Sequence, residues 1–257
     1  MSLRVGRCTY GANGKRTDPS YPGFTNILVL MQSHSRYFPL SPYYLKDSEG
    51  RIFENIYQAH KVYEKVPKVI QHYSRWDKRI IWEHPEEVHI CNNKLTPEYF
   101  QWRSKLMNCE NAIRYPVGYH HRRKCVGSIL KSGDSFTKLD YVDARKKIYV
   151  PLYQQLAREQ PIYKSLLERL RKGENLLIIE VDGPHQESLK YYQETYSVPS
   201  DFIENNTMLV NEDNLNIMLN DTVHPYGHGY CLAEALMKDK NKTIQILYSF
   251  IFFRISS

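Results

Sequence analysis

With 257 residues, 42% of them hydrophobic and 25% charged, the chain has the composition of a globular protein with one sizeable core, and no Gly/Ser-rich or charge-rich linker divides it. It shows neither a signal-peptide start nor an apolar run long enough to span a membrane, and its five widely spaced cysteines form no CxxC pair and no Cys/His cluster of zinc-ligand spacing. The net charge of +7, spread over 35 basic and 28 acidic groups, favours anionic partners by steering but does not separate nucleic-acid binding from plain solubility. A soluble, cytoplasmic (intracellular) protein is expected, with free thiols in a reducing compartment and no metal, cofactor or membrane association. The 21 Tyr, against 9 Phe and 3 Trp, imply that much of the burial is by rings whose hydroxyls need partners inside.

Residues 1–24 are rich in Gly, Pro, Ser and basic groups without periodicity and read as a flexible or late-docking arm. The run Ile27 to Met31 reads as a buried strand, and Ser41-Pro42 and Asp47 to Gly50 as turns. From Ile52 a helical spacing of Ile52, Ile56, Ala59, Tyr63 and Val66 continues to Pro67. At about 100° per residue, Glu54, Gln58 and Lys61 share a narrow sector on the other side. That polar stripe is either a solvated face or the wall of a site.

The stretch from Pro67 to Gly133, with Trp76, Trp82 and Trp102, predicts short helices and long connections. Its one dense basic cluster is His120, His121, Arg122, Arg123 and Lys124, flanked by Tyr115 and Tyr119, which reads as a solvated loop or helix end or as a phosphate-contact surface for nucleic acid. Tyr141 to Glu159 is helical again, with Pro151 forcing a kink or restart, and Pro161 to Lys172 is a helix with Gly173 at its exit. Asn175 to Val181 is a core strand that delivers Asp182 to a rim, ahead of the Gly183-Pro184 turn, which makes Asp182 more interesting than Glu180. An inserted helical excursion follows, at about 185–222. In the segment from His224 to Tyr230, Gly227 and Gly229 permit positive φ and close backbone approach, and Cys231 to Lys238 is helical. Residues 241–257, with the apolar run Ile244 to Phe253, read as a tail or a strand. The sum is an α+β fold: one helix-dominated domain with a small sheet.

P-loop, GxGxxG, HExxH and GxSxG motifs are all missing. His224 and His228 have a spacing suited to paired metal ligands, but Pro225 and the two glycines argue against a continuous helix there.

Three patches together resemble the NADAR (YbiA-like) family. They are Leu40 to Tyr44 with Glu54 to Lys61, then Ala144 to Leu167, then Leu177 to Asp182 with the late Gly227 to Met237. The resemblance implies a YbiA-like domain over 25–240. It also implies N-glycosidase activity on a nucleotide, ADP-ribose or ADP-ribosylated base, with the essential glutamate at Glu54 and the motif lysine at Lys61. Tyr141 stands where the family has a functional tryptophan, Asp182 where it has an acid after the strand, and Tyr230 where it has an asparagine; the family's Trp-Gly behind the acid is missing.

Cleaving a ribosyl C–N bond builds positive charge on the sugar, which calls for an anion near the anomeric carbon and a group that activates water or protonates the base. Glu54 and Asp182 fit those two roles, in either order. Lys61 is suited to binding phosphate or hydroxyls, or to trapping an opened sugar as an imine. Gln58, Tyr141, His224, Gly227, His228 and Gly229 complete the expected substrate contacts, Tyr141 by stacking and His228 by donating to a phosphate. The competing reading is a module that holds ADP-ribose, a nucleotide or nucleic acid without cleaving it.

Overall fold

The computed structural model describes residues 2–30, 35–70, 82–133 and 135–255, with side chains up to residue 242; Trp76 and Met31 lie outside the described residues. In chain order the main elements are β1 (Leu3–Arg7), β2 (Thr25–Leu28), α1 (Phe53–Ala59), β3 (Lys61–Tyr63) and α2 (Pro97–Met107). They continue with β4 (Cys125–Ser132), β5 (Ser135–Leu139), α3 (Tyr141–Ala144), a π-helical turn (Arg145–Tyr149), α4 (Val150–Glu159) and α5 (Pro161–Arg171). Last come β6 (Leu176–Glu180), α6 (Leu189–Tyr196), β7 (Thr207–Leu209), α7 (Glu212–Asn220) and α8 (His228–Ile255). The class is α+β, with a mixed four-stranded sheet among several small ones, and the chain divides into two compact units.

Unit one comprises Met1–Ser41 and Tyr153–Ser257. Its sheet has the order β7-β1-β6-β2; β1 and β2 run parallel to β6, and β7 runs antiparallel to β1. All five residues of β6 are buried, Leu176 to Ile179 as an apolar run predicts for an interior strand and Glu180 after them. The N-terminal stretch expected to be an arm instead supplies β1, the other interior strand, with Leu3 opposite Leu176 and Arg7 opposite Glu180. Arg4 is tolerated there because its Nε donates to Thr207 Oγ1 at 2.9 Å, its Nη2 lies 3.5 Å from Glu204 Oε2, and its guanidinium stacks 3.7 Å from the Tyr21 ring centroid. Helix α8 packs on β6 and β1, and α5 packs on α8. The backbone of α8 runs through Ile244 to Phe253, so that segment is helix and not a strand. The inserted excursion contains α6, β7 and α7, and β7 closes one sheet edge.

Unit two is Pro42–Leu152. Helix α1 packs against α2, and Ile56, Ala59, Val62, Tyr99, Trp102 and Leu106 share one apolar cluster. The helix expected to continue to Val66 stops at Ala59, and Lys61 opens β3, which pairs antiparallel with β4 in a sheet of order β5-β4-β3. Two physical reasons account for the stop. Val62, Tyr63 and Val66 are β-branched or aromatic and fit a pleated surface. His60 Nδ1–H donates to the Ile56 carbonyl at 2.7 Å, satisfying an acceptor that the last turn leaves open. Farther along, the disturbance expected at Pro151 takes the form of the π turn just before it, because a proline supplies no donor to the preceding turn. No helix of the described residues is long and apolar enough to cross a membrane, and all five cysteines are free thiols.

Candidate functional site

In unit two, α1 is buried on every side, although it carries Glu54, Asn55 and Gln58. The stripe is therefore not a solvated face. Gln58 Nε2 donates to Glu54 Oε1 at 2.7 Å across one helical turn, so the amide fixes the carboxylate's orientation. Asn55 has a different task. Its Nδ2 donates to the carbonyls of Cys109 and Asn111 at 3.0 and 2.9 Å, and its Oδ1 accepts from the Ile113 amide at 2.7 Å, which ties the loop after α2 to the helix.

Lys61 leaves the helix but stays beside this stripe, with its Nζ 5.0 Å from the Tyr57 ring centroid. Burial pushes the Lys61 ammonium below its ordinary range, against the pull of the Cys125 thiol and the Glu54 carboxylate and with help from Arg114. Tyr57 is held well above the usual phenol range by burial first, then by Tyr141 and Glu54. Lys61 thus lies over Tyr57, whose hydroxyl also feels Glu54 and Tyr141, while Gln58 holds Glu54. The Tyr141 ring is half exposed, and the guanidinium of the buried Arg145 lies 4.6 Å from its centroid. Sequence reasoning missed Arg145. Its signal was available, since it sits four residues after Tyr141 and four before Tyr149, on the apolar stripe of that segment, where a solvated arginine does not belong.

Of the basic cluster, Arg122 folds back on Tyr119, donating from Nη1 to the Tyr119 carbonyl at 2.6 Å and stacking 3.8 Å from its ring centroid. Arg123 and Lys124 project into solvent from a short 3-10 turn. A cleft of about 350 Å³ elsewhere on unit two is lined by Lys46, Glu49, Arg51, Ile52, Asn108 and Glu110, and contains none of the predicted site residues.

In unit one, the residue that the Gly-His-Gly segment engages is Glu180, the acid at the last position of β6. Its carboxylate is fully buried and accepts from the Gly229 amide at 2.9 Å, with Oε2 3.1 Å from His228 Nδ1. The glycines serve close approach and not positive φ. A Cβ on Gly227 would stand 2.7 Å from the Glu180 Cδ, and one on Gly229 would stand 2.7 Å from Oε1. His228 Nε2 faces the Val29 carbonyl, so both ring nitrogens meet acceptors and the doubly protonated ring is favoured. Burial opposes that charge, but the Glu180 carboxylate outweighs it and raises the His228 pKa above its ordinary value. Asp182 is partly buried at the strand exit, where Gly183 packs so closely that a Cβ would lie 2.8 Å from the carbonyl carbon of Gly6.

His224 belongs to a second cluster of unit one. Asp221, fully buried, accepts from the Tyr191 hydroxyl and the Val223 amide on Oδ1, at 2.8 and 2.9 Å. Its Oδ2 accepts from the Tyr192 hydroxyl and from His224 Nδ1, both at 2.7 Å. Burial alone would raise the Asp221 pKa, but these four donors lower it below the usual carboxylate range. The far ring nitrogen of His224 lies 3.0 Å from Ser188 Oγ. Ser188 and Asp221 were not foreseen; the available signal was the adjacent pair Tyr191-Tyr192, whose hydroxyls needed an internal acceptor. Among the described residues, no group of three or more His, Cys, Asp or Glu side chains has the arrangement of a metal site.

Comparison with models of protein families, with curated proteins and with solved structures finds no match to this chain.

Proposed function

We propose that this protein is an N-glycosidase of the NADAR type, with a YbiA-like fold, that hydrolyses a ribosyl C–N bond in a nucleotide or ADP-ribosylated substrate. The observation that carries the proposal is a helix buried on all sides that nevertheless holds a carboxylate, Glu54, oriented by Gln58 and accompanied by Lys61 and a half-exposed Tyr141. An acid buried beside an amine of depressed pKa costs stability that packing alone does not require, and such costs concentrate where chemistry is done.

In the proposed reaction Tyr141, backed by Arg145, stacks on the base, and the Glu54 carboxylate faces the anomeric carbon. The C–N bond breaks with its electron pair going to the base nitrogen, which takes a proton from solvent that Glu54 later gives back. Water adds its oxygen to the anomeric carbon, and Glu54 accepts the proton that water releases. The Lys61 amine contacts the sugar hydroxyls or a phosphate.

The test is release of ribose phosphate or ADP-ribose from a panel of N-glycosides by the wild type and by Glu54→Gln, with melting curves for both. Loss of release in a folded E54Q protein is expected, and an undiminished rate overturns the assignment. Asp182→Asn in the same assay tests the second acid separately. A wild type that melts higher with ADP-ribose but releases nothing is instead a binding module.

A further inference from the structure

We propose that Ser188, His224 and Asp221 form a nucleophile–base–acid relay, so that unit one carries a serine nucleophile able to take an acyl group from a carboxylic ester. The geometry is internal to unit one and independent of the glycosidase reading. Asp221 is an acceptor-only carboxylate with no exposed surface, so the proton on His224 must sit on Nδ1, the nitrogen 2.7 Å from Asp221 Oδ2. In the neutral ring Nε2 then carries the lone pair, 3.0 Å from Ser188 Oγ, and the hydroxyl donates to it. This is the order of contacts by which a serine is activated: the acid fixes the tautomer, and the base holds the hydroxyl proton.

Two further observations separate this arrangement from a structural tie. Ser188 ends the short 3-10 turn Gln186–Ser188 that runs into α6; its side chain makes no capping bond to that helix, and its hydroxyl is turned to His224. The imidazole is also not sealed in: 26% of the His224 side chain is exposed, against none for Asp221, and Ser188 is only partly buried. The Tyr191 and Tyr192 rings, with centroids 5.0 and 5.2 Å from that of His224, hold the imidazole in place while their hydroxyls fix the aspartate. A tie would be complete with the tyrosines and His224 Nδ1; the serine adds nothing to it.

The reaction balances with water as the sole co-reactant. Ser188 Oγ forms a bond to the ester carbonyl carbon as its proton passes to His224 Nε2. The ester C–O bond then breaks, and the leaving alkoxide takes that proton away as an alcohol. Water repeats the sequence: its proton goes to His224, its oxygen to the acyl carbon, and Ser188 Oγ leaves with the proton returned, releasing a carboxylic acid.

The experiment uses the full chain with a fluorophosphonate probe and peptide mass spectrometry, together with the p-nitrophenolate burst from p-nitrophenyl acetate. The expected results are a phosphonyl adduct on Ser188, a burst stoichiometric with protein, and loss of both in Ser188→Ala. His224→Gln keeps an amide to hydrogen-bond Asp221 but has no basic nitrogen, and should slow labelling by roughly 10²-fold or more. Melting curves accompany each variant, and labelling of the wild type alone decides the case if a variant does not fold. No adduct on Ser188 in folded wild-type protein, or equal labelling rates in folded H224Q and wild type, overturns the proposal.

Discussion

Replacing Gly227 by alanine tests whether Glu180 is held by the backbone of the Gly-His-Gly segment. The added methyl would stand 2.7 Å from the Glu180 Cδ and closer still to Oε2, whereas ordinary van der Waals contact begins near 3.4 Å. Relief requires the carboxylate to retreat by about 1 Å, and it has nowhere to go: Gly229 N holds one oxygen at 2.9 Å and His228 Nδ1 stands 3.1 Å from the other. The variant therefore loses most of one buried, charge-assisted interaction, a cost of about 3–5 kcal/mol, larger than the roughly 1 kcal/mol of a typical point substitution. Against a total stability of about 5–15 kcal/mol, that lowers the melting temperature by roughly 10 °C in a chain of this size. Urea denaturation in a double-mutant cycle supplies the control. Glu180→Asp shortens the side chain by one methylene, so the cost of G227A should shrink in that background. A cost below about 1 kcal/mol in wild-type background, or an identical cost in both backgrounds, refutes the reasoning.

Two of the perturbed histidines, His228 and His60, should give stability–pH profiles of opposite sign. His228 has a folded pKa above its unfolded value, so its contribution is complete below about pH 6.5 and is lost as pH rises through the folded pKa; urea midpoints of wild type and His228→Gln should converge on the alkaline side. Divergence on that side would contradict the ion pair. His60, pushed down to about 4 by burial and by Arg103 against the pull of the Ile56 carbonyl, stays neutral in the fold. Its contribution is present above about pH 6.5 and is lost as pH falls towards 4, by about 3 kcal/mol in all. His60→Asn should flatten the acid limb of the same titration, and an unchanged limb would remove His60 from the account. Asn55→Ala, which deletes three hydrogen bonds to the segment from Cys109 to Ile113, should cost about 3 kcal/mol and raise amide exchange at Ile113 selectively. Uniform exchange across unit two would show that the asparagine does not act locally.

Local signals in the sequence sufficed for some elements and misled for others, and the difference is physical. Strand β6 and helix α5 carry their own boundaries, one as an unbroken Leu-Leu-Ile-Ile run and the other between Pro161 and Gly173. Strand β1 carries none, because Arg4 and Gly6 interrupt it, and its burial is conferred by partners more than 170 residues away at Leu176 to Glu180 and near Thr207. The apolar run Ile244 to Phe253 has no period to tell strand from helix, and α8 simply continues through it. At Ile52 to Val66 the spacing was real but its cause was mixed: Ile56 and Ala59 face the core from a helix, Val62 and Tyr63 from the strand that replaces it.

The same distinction governs the site residues. Glu54 and Gln58 were legible because one helical turn brings them together, so spacing alone predicts their hydrogen bond. Asp182 drew attention over Glu180 because a rim position looks functional in one dimension. Which carboxylate the Gly-His-Gly segment grips, however, depends on where a helix that begins 48 residues after Glu180, at His228, is brought back against β6. Once α8 returns there, the absence of side chains at Gly227 and Gly229 selects the acid that the backbone can reach, and the histidine between them supplies the counter-charge. The glycines were read correctly as close-approach residues. What they approach is an acid of the protein's own core, so their first duty is to the fold, and any ligand contact by this segment falls to the groups that Glu180 leaves unengaged.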